Sequence, residues 1–338
     1  MTKPLRVASV GLGRWAAVLA EGVRRVPVLE IAGCFSRSEE RRASFASKYG
    51  GTPYPSYEAL LADGSVDAVL LTTPHSAHHA QILAAARAGK HVFCEKPLTL
   101  AVEDARSAMY ACARAGVALV VGHCWRFVGA VQRAKGLIEE GDLGEVVQAA
   151  GHFGNPRALS LGQEAWRDAP EESPGGPLTG PGFHLMDVLH YLLGPVERAN
   201  AAFRQRLTGG RMPDTALATL QFRSGALAHV SASFITQRCY RLALFGTRAN
   251  AYLELVSLEG AGPSTLSLHR IGEPHPADVP VPQEDMIRLQ MAFFARTVRE
   301  GAPPLAGGRE GLALVALLSA LAASAESGRW ETPAAQEG

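Results

Sequence analysis

A lysine follows an apolar segment within residues 89–97, which read GKHVFCEKP. Gly89 can adopt the left-handed conformation that ends a helix, and residues 91–94 then form a short buried strand. Pro97 cannot continue a ladder inside a sheet, so the strand ends before Lys96. Ligands of open α/β sheets bind beyond the carboxyl ends of the strands, which makes Lys96 a candidate for chemistry.

A glycine-rich turn near the start of the chain is the second candidate. Residues 5–10 form an apolar strand, and the pattern G-x-G-x-x-A over residues 11–16 leads directly into a helix. Gly11 allows the tight turn, and Gly13 lets backbone N–H groups approach a pyrophosphate at the helix N-terminus. Glycine turns join many strands and helices, but this position between a strand and a helix favours a dinucleotide site.

The end of the second strand bears on the identity of the dinucleotide. An NAD site usually places a carboxylate there for the ribose 2′-hydroxyl, whereas this chain has Ser36 and Arg37, with Arg41 and Arg42 one turn later. Arginine binds phosphate in a bidentate manner, which favours NADP over NAD. Alternatively Ser38 caps the next helix and the arginines are solvated; both interpretations can hold together.

A third turn, Thr73 to His78, follows another apolar strand, and we expect a helix from His78 to Ala88. Its histidines lack accompanying Asp, Glu or Cys at ligand spacing, so we predict no metal site. The predicted cofactor contacts come from four turns at strand ends: Gly11, Leu12, Gly13, Arg14, Trp15, Ser36, Arg37, Thr73, Pro74, His75, His78, Glu95 and Lys96.

Composition narrows the class of protein. The chain has 338 residues, of which 47% are hydrophobic and 19% charged, and this length and composition are typical of two globular domains. The net charge of +1 gives no excess of positive charge that would indicate nucleic-acid binding. Its five cysteines show no Cys-x-x-Cys spacing, which indicates reduced thiols in a cytoplasmic protein. The apolar run 312–325 is shorter than the ~20 residues of a spanning helix, so we expect no membrane segment.

The order of elements predicts the fold class. Strands alternate with helices up to residue 121, as in a doubly wound parallel sheet, and later apolar runs are joined by short polar turns, as in an antiparallel sheet. We therefore predict a Rossmann domain over residues 1–123. An α+β domain with a large, mostly antiparallel sheet follows over residues 124–338, and its last helices either cover that sheet or return to the first domain.

The chain resembles the Gfo/Idh/MocA family, named after glucose–fructose oxidoreductase, inositol dehydrogenase and rhizopine catabolism. The resemblance rests on G-L-G at 11–13, E-K-P at 95–97 and G-F-H-L-M-D at 182–187. It extends over nearly the whole chain through further motifs: T-P at 73–74, G-K-H-V at 89–92, G-D-L-G-E-V at 141–146, W-R-D at 166–168 and G-G at 175–176.

The resemblance implies hydride transfer between a nicotinamide cofactor and a hydroxyl-bearing carbon of a sugar, sugar acid, cyclitol or cyclic diol. It also implies that Lys96 contacts cofactor and substrate, that His184 exchanges the hydroxyl proton, and that the Lys96–Pro97 bond is cis. Histidine titrates near working pH, and a lysine ammonium stabilises a developing alkoxide.

One position departs from the family pattern. Many members have an aspartate four residues before the histidine, where this chain has Gly180. Asp187, at i+3 from His184, either orients the imidazole or acts as a carboxylate facing the start of the helix.

Other residues are candidates for the substrate. Arg126 and Arg167 each follow a tryptophan, Trp125 and Trp166, and arginine beside an aromatic surface suits a sugar ring or a carboxylate. A salt bridge at a domain interface is the alternative for both arginines. His152 and Tyr240 could also reach the pocket, which the sequence leaves open.

Two further functions remain open: a redox-assisted glycosidase with bound NAD, and a nucleotide-binding regulator without catalysis. We expect a homodimer or homotetramer through the C-terminal sheet, because segment 226–235 reads as apolar on both faces.

Overall fold

The computed structural model describes residues 3–159, 169–207, 211–255 and 263–334. The chain divides into two compact units, one of residues 1–124 with 286–315 and the other of residues 125–285 with 316–338. The domain boundary after residue 123 stays a prediction.

The first unit is built on a parallel sheet. Its strands are β1 (Leu5–Val10), β2 (Leu29–Phe35), β3 (Thr52–Pro53), β4 (Ala68–Leu71), β5 (His91–Cys94) and β6 (Leu119–Val121). Their spatial order is β3-β2-β1-β4-β5-β6, so the direction of winding reverses between β1 and β4. Every residue of β4 is buried, because helices cover both faces of a doubly wound sheet. The predicted Rossmann sheet is confirmed.

Five helices of this part connect the strands: α1 (Arg14–Arg24), α2 (Glu39–Tyr49), α3 (Tyr57–Ala62), α4 (His75–Arg87) and α5 (Val102–Ala115). The prediction that α4 begins at His78 was wrong. Pro74 occupies the N-cap position with extended backbone, and the helix begins at the next residue. The short strand β3 was not predicted.

The second unit contains α6 (Gly129–Glu139), α7 (Pro181–Leu193) and a large sheet. The strands are β7 (Val146–Gly154), β8 (Val196–Arg204), β9 (Thr215–Phe222), β10 (Leu227–Ser233), β11 (Cys239–Gly246), β12 (Ala249–Leu255), β13 (Ser264–Arg270) and β14 (Ala277–Val279). Their order is β14-β13-β12-β11-β7-β10-β9-β8. The sheet is mostly antiparallel as predicted, with β7 and β10 paired in parallel at its centre.

One face of this sheet packs on α7. On the opposite face, here called the open face, several side chains are exposed among the residues that the structure describes. A Cβ built on Gly151 of β7 would lie 2.7 Å from the Leu185 side chain of α7, so glycine allows the close approach. Along β10 burial alternates: Val230 is fully buried, whereas Leu227 on the other face is 48% exposed. His229 is also exposed, so the expectation that both faces of this segment are apolar was wrong.

The last two helices are α8 (Met286–Glu300) and α9 (Gly308–Ser327). By length and composition alone, α9 is the one described helix that resembles a membrane span. However, 61% of its most apolar window is buried within the protein, and Leu312 and Val315 belong to the core of the first unit. Burial of this kind is typical of a core helix.

Candidate active site

The glycine turn has the geometry of an anion site. Gly11 has a φ of +87°, and a Cβ there would lie 2.7 Å from the backbone nitrogen of Thr73. The Thr72 hydroxyl donates to the Gly11 carbonyl over 2.5 Å and fixes the turn. Gly13 caps α1 without a side-chain hydrogen bond, and the first helical turn has no acidic residue. Since a Cβ on Gly13 would meet nothing within 4 Å, the turn fits a pyrophosphate.

The end of β2 lies beside this turn, because Gly11 N–H donates to the Phe35 carbonyl over 2.9 Å. Ser38 accepts a hydrogen bond from the Arg41 backbone over 3.2 Å, so its role as helix cap is confirmed. Arg42 donates to the Ser36 carbonyl over 2.7 Å, and Arg37 is exposed. The cap therefore coexists with an exposed guanidinium, that of Arg37, at the end of β2.

Glu95 connects the lysine turn to the glycine turn. Trp15 Nε1 donates to Glu95 Oε1 over 2.5 Å, across 80 residues of sequence, and the Lys96 backbone N–H lies 3.2 Å from Oε2. A Cβ on Gly122, at the end of β6, would lie 2.6 Å from Glu95 Oε1. The Lys96–Pro97 bond is cis, as expected. Burial raises the pKa of the adjacent Cys94 thiol well above its usual value.

His78 lies beneath these turns. Its ring is fully buried, with Nδ1 3.0 Å from the Pro97 carbonyl and Nε2 3.2 Å from the Thr73 carbonyl. The side chain therefore ties the turn after β4 to the turn after β5. Thr73 donates to Gln81 Oε1 over 2.7 Å. Within the described ranges, no group of three or more His, Cys, Asp or Glu side chains is placed to hold a metal ion.

In the second unit, His184 lies in the second turn of α7 and is 5% exposed. Its ring centroid is 5.8 Å from that of Trp125, whose ring is tilted by 48° against Phe153 with the centroids 4.5 Å apart. Tyr240 closes this aromatic cluster at 5.3 Å from Trp125, and burial raises the pKa of its hydroxyl. The His184 ring is therefore packed against a cluster of aromatic side chains.

Gly180 marks the departure from the family aspartate. A Cβ at this position would lie 2.7 Å from Phe234 Cζ, and Phe234 is only 4% exposed. An aspartate here would require the buried phenyl ring to move. The aromatic side chain thus accounts sterically for the glycine.

Asp187 forms a buried ion pair with Arg126. Arg126 Nη2 donates to Asp187 Oδ1 over 2.7 Å, and Nε lies 3.0 and 3.1 Å from the two carboxylate oxygens. The two side chains are 3% and 1% exposed. Because the first turn of α7 contains no acidic residue, the interpretation of Asp187 as a helix-start carboxylate was wrong.

The remaining predicted residues fall in different places. Trp166 and Arg167 lie outside the described residues. His152 alternates with Phe153 along β7 and therefore points to the other face of the sheet, where Nδ1 meets Ser231 Oγ at 2.8 Å. Tyr240 lies on the His184 side. Sequence reasoning missed the steric roles of Phe234 and Gly122, which carry no signal in a single sequence.

Comparison with known proteins places the chain in a family. Residues 5–123 match the model of the oxidoreductase family with an NAD-binding Rossmann fold (GFO_IDH_MocA), and residues 131–252 match the GFO/IDH/MocA C-terminal domain. A 1,5-anhydro-D-fructose reductase from Ensifer adhaerens is 28% identical, covering 94% of this chain and 98% of that protein. D-xylose 1-dehydrogenase (NADP(+)) 2 from Haloferax volcanii is 31% identical, covering 88% and 90%. The crystal structure of a protein described as an NADPH-dependent oxidoreductase from Desulfitobacterium hafniense superposes with a TM-score of 0.92, at 30% identity and 99% coverage of both chains.

Proposed function

The chain belongs to the Gfo/Idh/MocA oxidoreductase family, and from this premise we propose that it transfers hydride between a nicotinamide cofactor and a carbinol or carbonyl carbon. The substrate class is a sugar, sugar acid, cyclitol or cyclic diol. The observation that carries the proposal is the contact between Trp15 and Glu95, because it joins the turn that contains Lys96 to the glycine turn.

The proposed roles follow from side-chain chemistry. A bound nicotinamide accepts or donates hydride at C4. The Lys96 ammonium stabilises the substrate oxygen as negative charge develops, and His184 takes or returns the hydroxyl proton. Arg126, Trp166 and Arg167 are the further proposed substrate contacts. The ion pair with Asp187 holds the Arg126 guanidinium in a defined position, which supports a fixed place for this proposed contact.

We propose NADP as the preferred cofactor, and Arg37→Ala tests this preference. Removing one charged contact to the 2′-phosphate is expected to weaken NADPH binding about ten- to a hundredfold, since hydrogen bonds to charged groups contribute roughly 1.5–3 kcal/mol. NADH affinity should stay unchanged. Calorimetric titration of both cofactors measures the two dissociation constants, and Arg87→Ala, an exposed arginine at the end of α4, is the matched control. A preference of the wild-type protein for NADH would contradict the assignment.

The overall proposal is tested by turnover. Purified protein is incubated with NADP⁺ or NADPH and a panel of sugars, sugar acids, cyclitols and their ketones, and absorbance at the reduced-nicotinamide band is followed. Turnover of a hydroxylated substrate supports the proposal. Release of sugar from a glycoside without net change in cofactor would identify the redox-assisted glycosidase instead. Tight cofactor binding with no turnover of any compound would identify a regulator.

We further propose that copies of the chain associate through the open face of the large sheet, in the cytoplasm. Exposed apolar side chains on β9 and β10, Leu217 at 52% and Leu227 at 48%, support this. Light scattering at micromolar concentration should give at least twice the monomer mass, and Leu217→Glu with Leu227→Glu should reduce it. A monomeric mass for the wild-type protein would contradict the proposal.

A further inference from the structure

The buried carboxylate of Glu95 has a position that the proposed hydride transfer does not by itself require. It is 8% exposed and directly precedes Lys96 in the chain. The Trp15 indole holds it from one side, and the Gly122 backbone, where an added Cβ would lie 2.6 Å from Oε1, approaches it from another. Both contacts constrain where the negative charge lies.

The order of the strands places this charge near one half of a dinucleotide. With the pyrophosphate at the glycine turn after β1 and the adenosine ribose at Ser36–Arg37 after β2, the adenosine half extends over β2 and β3. The nicotinamide half then extends over the strands on the other side of β1, which are β4 and β5. Glu95 follows β5, so its carboxylate lies on the nicotinamide side.

The two redox states of nicotinamide differ by one positive charge on the ring. A cationic ring beside the Lys96 ammonium is destabilised by like-charge repulsion, and a carboxylate fixed next to that lysine offsets the repulsion. The nearby Cys94 thiol, with its pKa raised by burial, stays neutral and adds no second negative charge. The neutral reduced ring gains nothing from the carboxylate.

We propose that Glu95, held in place by the Trp15 N–H, stabilises the oxidised nicotinamide and thereby sets the preference of the site between oxidised and reduced cofactor. This rests on the proposed function and adds to it a residue that selects the redox state. The quantity that reports it is the ratio of dissociation constants, oxidised over reduced, which is measured without substrate or turnover.

The test is calorimetric titration of the full chain with NADP⁺ and NADPH, and with NAD⁺ and NADH, using whichever pair binds more tightly. Glu95→Gln keeps the size of the side chain and removes its charge. We expect the ratio to rise about tenfold, mainly through weaker binding of the oxidised form, because the interaction between two unit charges in a partly desolvated site is of that order. Glu58→Gln, an exposed carboxylate on α3, is the matched control and should leave the ratio unchanged.

Trp15→Phe provides an independent variant, since it keeps an aromatic side chain and removes the N–H donor. We expect a rise of the ratio in the same direction but smaller. Thermal unfolding verifies that both variants fold. If Glu95→Gln does not fold, the ratio measured for Trp15→Phe alone tests the inference. An unchanged ratio in the folded variants would overturn the inference while leaving the proposed function intact. Failure of the wild-type protein to bind any of the four cofactors would instead contradict the proposed function.

Discussion

Replacing Lys96 by methionine is expected to lower kcat by about 10³-fold, because removal of one preorganised donor to a developing oxyanion costs about 10²–10³ and the lysine also contributes a full charge. Methionine has nearly the same length and keeps the contacts of the aliphatic stem. Steady-state kinetics with the substrate found in the panel measures the loss.

Cofactor affinity distinguishes a chemical role of Lys96 from a structural one. The dissociation constant of NADPH should change far less than kcat, since the glycine turn and the β2 end, which lie on other strands, supply most of the proposed cofactor contacts. Lys48→Met, a 61% exposed lysine at the end of α2, is the matched control and should retain full activity. Retention of activity in Lys96→Met would remove the lysine from the mechanism.

Replacing Asp187 by asparagine is expected to lower the free energy of unfolding by about 3–5 kcal/mol, the usual cost of removing one partner from a buried ion pair. The Arg126 guanidinium would then be left with its charge at 3% exposure. Because Arg126 adjoins Trp125, whose ring packs 5.8 Å from that of His184, activity should fall as well. Urea unfolding followed by circular dichroism measures the stability.

Two comparisons sharpen this second prediction. Glu254→Gln breaks the exposed pair with Arg241, where the side chains are 69% and 53% exposed, and should cost less than about 1 kcal/mol. The double variant Arg126→Met with Asp187→Leu removes both charges and should regain most of the lost stability. Equal destabilisation by Asp187→Asn and Glu254→Gln would show that breaking the buried pair costs no more free energy of unfolding than breaking the exposed one, which contradicts the prediction.

Local backbone requirements were readable from the sequence. The glycine turn, the Ser38 cap and the strand that ends before Lys96 each depend on residues within a few positions of one another, so residue type alone restricts the conformation. The same applies to the order of elements: strands alternating with helices indicated a parallel sheet, and later apolar runs joined by short polar turns indicated a mostly antiparallel one. The start of α4 was wrong by one turn, because a histidine run after proline is compatible with either a turn or a helix.

The partners of the polar side chains were decided by the tertiary structure. Trp15 and Glu95 are 80 residues apart, and Arg126 and Asp187 are 61 apart, so nothing in either local pattern specifies the pairing. Asp187 had two local interpretations, and the ion pair with Arg126 became visible only once the turn at residues 124–127 packed beside α7. Gly180 is explained in the same way, because the ring of Phe234, the residue after β10, lies within 2.7 Å of the position of a Cβ. The sequence by itself thus determined which residue types can do the chemistry and where each strand presents them. Packing between distant segments decided which charged side chains are buried and which residues they pair with, because burial and long-range contact are properties of the folded chain.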